Sequence, residues 1–259
     1  MSTDSPTPTG SPVGATETPA AEASTGAESK GWAIPTRASG AASPIIQLCV
    51  DVFDTKEALE VAHMGLRAGV DWLEMGTPMV SWVGITGLKD FLDDFLDRVT
   101  FLDAKVMDGS WPYVYAAGEL GVELVSVCAS ASDATFRAGL AETEASGVKI
   151  VADLYAVADP VRRGLELADL GVHALYLHYG WDELAEDRAA DPTLAQLEQL
   201  RAATSVPLGI VTSSTEMAED AVRAGADILL VGHPFLNGPT AETDLHDYVQ
   251  RVRSAATSA

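Results

Sequence analysis

Between Asp103 and Asp108 the chain reads D-A-K-V-M-D, an ammonium enclosed by two carboxylates. Residues i and i+2 of an extended segment point the same way, so Asp103 and Lys105 can share one side of a strand. Other ionisable side chains stand at the ends of short apolar, β-rich runs. Asp51 follows Ile45–Val50, Glu74 lies near the end of Val70–Met75, and His178 closes Ala174–His178. If Glu74 and Asp103 end neighbouring strands, about 4.8 Å apart, their carboxylates repel unless a proton or cation lies between them. Hard oxygen donors suit Mg²⁺, which takes one or two carboxylates and fills its shell with water and substrate. Histidine is the side chain suited to proton transfer near neutral pH. A single acidic residue at a strand end is commonly a helix cap or salt-bridge partner, and Lys105 alone could merely neutralise Asp103 or Asp108. Several such groups at one end of one fold point instead to metal-assisted chemistry on an oxygen-rich substrate. The residues by themselves go no further.

The elements that must position these groups recur in a fixed rhythm. Eight β-rich runs are expected: Ile45–Val50, Val70–Met75, Val99–Asp103, Val122–Val127, Lys149–Leu154, Ala174–His178, Pro207–Val211 and Asp227–Val231. Between them lie helical spacings of apolar residues, such as Leu59, Ala62 and Leu66. Gly in "AGVD" (68–71), "LGVH" (170–173) and "AGAD" (224–227) supplies a left-handed helix stop before the next strand. Apolar strands alternating with helices form a parallel sheet covered by helices. Eight units close it into a single (β/α)₈ TIM barrel, an α/β fold whose active site sits at the C-terminal ends of the strands. A doubly wound open sheet is the competing architecture, but no G-x-G-x-x-G follows the first run.

Composition bounds the rest. Residues 1–43 are rich in Ser, Thr, Pro, Gly and Ala, and are expected to form a disordered tail that cannot bury enough apolar surface to offset its ordering entropy. The barrel domain is expected over residues 44–259, close to the lower size limit of roughly 200 residues for this fold. The start resembles neither a secretory signal nor an organelle transit peptide, and no apolar stretch could span a bilayer, so a cytoplasmic protein without a membrane partner is expected. The net charge is −22, of which the tail carries −2 (four acidic, two basic residues), leaving −20 on the rest. That surface argues against nucleic acid, and any phosphate site must be built locally. Cys49 and Cys128 lie in apolar runs and read as reduced core thiols, not as a zinc site.

The D-x-K-x-x-D string resembles the signature of the orotidine-monophosphate-decarboxylase superfamily. Around it, "VDVFDTKEALEVA" (50–62), "DWLEMGTP" (71–78), "DAKVMDG" (103–109), "SASDAT" (130–135), "HYGWDE" (178–183) and "AGADILLVG" (224–232) are similar, in the same order, to the 3-hexulose-6-phosphate synthase and 3-keto-L-gulonate-6-phosphate decarboxylase family. The resemblance implies a lyase working through a Mg²⁺-stabilised enediolate of a small sugar phosphate, with Mn²⁺ as the alternate ion. It implies Glu74 and Asp103 as metal ligands and Asp51 on substrate hydroxyls. Lys105 would hold the enediolate oxygen and His178 would carry the proton. It further implies a homodimer in which Asp108 reaches the partner's site. An enediolate carries negative charge on vicinal oxygens, which a cation and an ammonium both stabilise.

The segment His178-Tyr179-Gly180-Trp181-Asp182 favours the synthase, an aldolase that condenses formaldehyde with ribulose 5-phosphate. The decarboxylases resemble His-Arg-Ser-Arg-Asp there, and Trp181 stands where their second Arg would lie. The phosphate end departs from the family. In place of Gly-Gly and of Gly followed by Arg or Gly, this chain has Thr212-Ser213 and Gly232-His233, which become the expected phosphate-binding set. Ser81 and Leu184 depart too, standing where synthases carry Lys and Gln, and Trp82 and Trp181 add bulk near the barrel mouth. The competing readings are a decarboxylase or a specialised member acting on another ketose, and, from a different class, a barrel that binds without turnover.

Overall fold

The computed structural model describes residues 32–258. The chain alternates strand and helix: β1 Ile45–Val50, α1 Thr55–Ala68, β2 Trp72–Met75, α2 Thr77–Gly87, α3 Lys89–Leu92, β3 Val99–Val106, α4 Ser110–Leu120, β4 Leu124–Cys128, α5 Asp133–Ser146, β5 Lys149–Asp153, α6 Pro160–Leu170, β6 Ala174–Leu177, α7 Trp181–Glu186, α8 Thr193–Ala203, β7 Leu208–Thr212, α9 Thr215–Arg223, β8 Ile228–Val231 and α10 Ala241–Ser258. The strands pair in parallel and in sequence order, and β8 returns to β1, closing the (β/α)₈ barrel that the eight runs predicted. Each run contains its strand to within one or two residues, except that β3 continues to Val106 through a bulge.

Local signals start and stop the helices. Asp54 caps α1 by accepting hydrogen bonds from the N–H groups of Lys56 and Glu57, and Asp159 caps α6, which opens on Pro160. Gly69 and Gly171 end those two helices at φ 101° and 97°, a backbone that costs other residues about 1 kcal/mol or more.

Alternation along each strand divides the apolar residues into two sets. Ile46, Leu48 and Val50 of β1, with Leu73, Leu102, Val125 and Ile150, face outward and pack against the helices. Ile45, Cys49, Trp72, Phe101, Leu124, Val151, Tyr176, Ile228 and Leu230 fill the barrel interior. The inward parity therefore continues from Trp72 to Glu74, from Phe101 to Asp103, from Leu124 to Ser126, from Val151 to Asp153 and from Tyr176 to His178. The polar groups that end the strands look into the barrel mouth because the apolar residues two positions earlier look into its core.

The tail expectation needs correcting at its end. Ile34 is buried against the interior set, and Trp32 packs edge-on against Trp72 with ring centroids 5.9 Å apart. The Lys149 ammonium stands 5.3 Å from the Trp32 ring, and Arg37 donates its N–H to Asp227 at 2.9 Å. Residues 32–37 thus cover the N-terminal end of the barrel, because two large apolar side chains there have an open barrel floor to bury against. The remainder of the expected tail, residues 1–31, lies outside the described residues. Among the described residues no helix is long and apolar enough to cross a membrane.

Candidate active site

A cavity of about 510 Å³ opens at the C-terminal ends of the strands. On one side β1 to β3 bring Asp51, Glu74 and Asp103 together. Glu74 is buried, and its Oε2 accepts hydrogen bonds from Gln47 Nε2 at 2.5 Å and from the Cys49 thiol at 3.2 Å. Gln47 is in turn held by the Tyr176 hydroxyl, which donates to its Oε1 at 2.7 Å. This buried chain orients the Glu74 carboxylate from beneath. Gly76 permits the close approach of Asp51: a Cβ at position 76 would stand 2.2 Å from Asp51 Oδ1.

Lys105 sits in the bulge of β3 with a left-handed backbone, φ 42°, unusual for a side chain of its size. Its N–H donates to Ser126 Oγ at 2.8 Å, and the same hydroxyl donates to Asp103 Oδ1 at 2.8 Å. Thr77 donates to Asp103 Oδ2 at 2.5 Å. The Lys105 ammonium lies 3.0 Å from Asp103 and 2.8 Å from Asp153, and His178 Nδ1 lies 3.3 Å from the same Asp153 oxygen. The other Asp153 oxygen accepts the Tyr155 N–H at 3.0 Å. An ammonium and an imidazole are therefore fixed side by side, facing one cavity, by a single buried carboxylate.

The electrostatics divide the carboxylates. Burial, then repulsion from Asp103 and Asp51, pushes the Glu74 carboxyl well above its ordinary range, and Asp51 is raised by burial and by Asp103. Burial would likewise raise Asp153, but the His178 hydrogen bond and the Lys105 charge outweigh it and hold Asp153 well below the usual carboxylate range. Burial would lower Lys105, yet Asp103 and Asp153 hold its ammonium above the ordinary lysine value. Cys128, half-buried beside this group, is pushed up to about 11 by burial and then by Asp153.

Glu74 and Asp103 suit a hard divalent cation. They are buried oxygen donors whose mutual repulsion a positive ion would relieve, and two carboxylates satisfy Mg²⁺ when water and substrate complete its shell. Among the described residues no group of three or more His, Cys, Asp or Glu side chains is arranged to hold a metal ion, so Glu74 and Asp103 would have to share it with water and substrate.

Asp51, Glu74, Asp103, Lys105 and His178, expected as one site, meet here, and Ser213, Gly232 and His233 border the same cavity. Thr212 lines it as well. Its hydroxyl is buried, donates to Leu230 O at 3.1 Å and pairs with the Tyr248 hydroxyl at 2.7 Å, which leaves its backbone amide as the group to face a phosphate. Strand alternation is the reason: Val211 takes the inward position on β7 and Thr212 the outward one. Asp108 does not join the cavity of its own chain; it is exposed, with its carboxylate accepting the Gly109 N–H at 2.8 Å. Asp153, Ser126, Gln47 and Tyr176 were not singled out from the sequence. Asp153 carried a readable signal, since it stands one residue before the end of the fifth run, as Glu74 does in the second. Cys49 is buried as expected for a core thiol, yet it touches Glu74, and Cys128 is only partly buried.

Residues 44–239 match the orotidine 5'-phosphate decarboxylase / HUMPS family. The chain is 29% identical over 194 residues to 3-hexulose-6-phosphate synthase 2 of Staphylococcus saprophyticus, covering 74% of this chain and 89% of that one. It is 28% identical over 200 residues to the 3-hexulose-6-phosphate synthase of Staphylococcus aureus, covering 74% and 90%. A crystal structure of a 3-hexulose-6-phosphate synthase superposes with a TM-score of 0.72 at 27% identity, covering 82% of this chain and 99% of that one. KGPDC from Streptococcus mutans, crystallised in complex with a sugar phosphate, superposes with a TM-score of 0.74 at 17% identity, covering 82% and 98%, a likeness of fold.

Proposed function

We propose, from the premise that the chain belongs to the orotidine 5'-phosphate decarboxylase / HUMPS family, that it is a 3-hexulose-6-phosphate synthase-like aldolase condensing formaldehyde with ribulose 5-phosphate. The chain is an enzyme of the lyase class, with a small sugar phosphate as its partner. The observation that carries the finer reading is the pairing of Lys105 and His178 on Asp153, beside the carboxylates of β1 to β3.

In this reading Asp51 receives the substrate hydroxyls. A proton leaves C1 of ribulose 5-phosphate, and His178, oriented by Asp153, is placed to carry it. The electrons of that C–H bond become an enediolate, and the Lys105 ammonium stabilises its oxygen as charge develops. C1 then bonds to the formaldehyde carbon, and the aldehyde oxygen takes up a proton. Glu74 and Asp103 would hold Mg²⁺ or Mn²⁺, which when bound supplies further positive charge to the vicinal oxygens. Lys105, locked between two carboxylates, serves as a fixed cation and not as a proton donor. Trp181, which lines the cavity, offers no charge for proton delivery to a decarboxylation product, and this favours the aldolase. We propose a homodimer as well. Asp108 lies outside its own cavity, next to exposed Met107 and close to exposed Trp111 and Tyr115, which supports a role across a subunit interface.

The purified protein should consume formaldehyde in the presence of ribulose 5-phosphate and Mg²⁺, form a hexulose phosphate, and stop in EDTA. Absence of reaction in a folded protein would refute the synthase reading and direct attention to other ketose phosphates.

A further inference from the structure

We infer that Tyr155 is a positioning residue for His178, holding the face of its imidazole while Asp153 holds its edge. The inference deepens the reading above, on which it rests only for the proton that His178 carries.

The chain leaving β5 reaches His178 twice. Leu154 donates its N–H to the Tyr176 carbonyl oxygen at 2.8 Å, which ties this segment to β6 two residues before His178. Asp153, on one side of Leu154, meets His178 Nδ1 at 3.3 Å. Tyr155, on the other side, brings its ring against the imidazole, with 5.0 Å between centroids and a 35° tilt. Tyr155 also donates its N–H to Asp153 Oδ1 at 3.0 Å, so one short turn places both the carboxylate and the ring. Ala156, with a left-handed backbone of φ 57°, turns the chain away directly after the ring.

The ring is confined from a second direction. Gly180 is buried, and a Cβ there would stand 2.6 Å from Tyr155 Cε2 and 2.8 Å from its hydroxyl oxygen. Gly180 is itself held by its N–H, which donates to Glu183 Oε2 at 3.1 Å. The confinement matters because of what Asp153 leaves undone. A carboxylate only accepts, so in the neutral imidazole Nδ1 carries the proton and Nε2 is the base. A single hydrogen bond at the ring edge leaves the imidazole free to rock about that contact, since the outer torsion of histidine is broad. An aromatic ring packed on the imidazole face supplies the missing constraint. Tyr155 stands outside the set of side chains that line the cavity, so its effect on the substrate passes through His178.

Exchange of the C1 proton of ribulose 5-phosphate in D₂O with Mg²⁺, followed by proton NMR without formaldehyde, reads the step that His178 serves. The C1–H bond breaks, its electron pair enters the enediolate, Nε2 takes the proton, and solvent deuterium returns to C1 by the same path. Tyr155→Leu should lower kcat for exchange by about ten- to a hundredfold and leave KM within about threefold. Tyr155→Phe, which keeps the ring, should restore the rate to within about threefold of wild type. Gly180→Ala, whose methyl meets the same ring, should lower the rate too, and it takes the place of Tyr155→Leu if that variant does not fold. Nitrogen-15 spectra of the histidine rings at about pH 8, where free histidine is neutral, add a second readout. His178, identified by its loss in His178→Gln, should show one tautomer with the proton on Nδ1 in wild type and a mixture in Tyr155→Leu. An unchanged exchange rate or an unchanged tautomer in the folded variant overturns the inference. If wild type exchanges no C1 proton, the enediolate reading is refuted and the tautomer alone decides the inference. Exchange without consumption of formaldehyde refutes the aldolase reading alone.

Discussion

Lys105 reaches from the bulge of β3 past the end of β4 to Asp153 at the end of β5, placing its ammonium 2.8 Å from the carboxylate. The backbone at Lys105 is left-handed, and Ser126 holds it by accepting its N–H. One carboxylate consequently sets both the charge beside Lys105 and the orientation of His178.

Asp153→Asn should keep the fold and lower kcat by about 10²- to 10⁴-fold, with a smaller change in KM, because it releases the imidazole and removes one counterion of Lys105. Asp153 is held below the ordinary carboxylate value, so its contribution to stability is present above about pH 3.9 and is lost only as pH falls through the lower folded value. The variant should therefore also melt lower than wild type at neutral pH. Steady-state kinetics beside a thermal melt checks both, and a variant with wild-type kcat would remove Asp153 from the mechanism.

Glu74 has the opposite sign. Its folded value is raised by burial and by Asp103, so its favourable contribution is complete below about pH 4.3 and is lost as pH rises through the raised value. Glu74→Gln, which can still accept from Gln47, should melt higher than wild type in EDTA at pH 7, by about 2–4 °C for each kcal/mol recovered. Mg²⁺ should raise the melting temperature of wild type and leave the variant unmoved. An equal Mg²⁺ response in both proteins would place the cation elsewhere.

Far from the site, His173 accepts the Ile150 N–H on its Nδ1 at 3.1 Å, and burial, then the Lys149 charge, lowers it to about 4. The unfolded chain takes up a proton near pH 6.5 and the folded chain does not, so stability should fall as pH drops from about 6.5 toward about 4. Full burial would make this about 3 kcal/mol, and partial exposure reduces it to about 1–2. His173→Asn, whose amide oxygen can accept the same N–H, should flatten that part of the curve. Denaturant titrations across this range decide it: an unchanged slope would assign the acid sensitivity to other groups.

The barrel and the reacting groups were legible in the chain because both depend on short-range pattern. Apolar runs, helix periodicity and terminal glycines specify strand and helix, and alternation carries Glu74 and Asp103 inward two positions beyond Trp72 and Phe101. Three-dimensional pairing decided what pattern alone leaves open. Asp153 stands 48 residues from Lys105, and only the pairing of β3 and β5 on either side of β4 brings them together. Thr212 turns outward to Tyr248 because β7 reaches the mouth with Val211 in the inward position, a one-residue difference in phase. Trp32 and Ile34 became structure because the open floor of the barrel offered apolar surface that a reading of local composition could not include. Side-chain type and periodicity are local properties, whereas which groups share one cavity is set by strand register and closure.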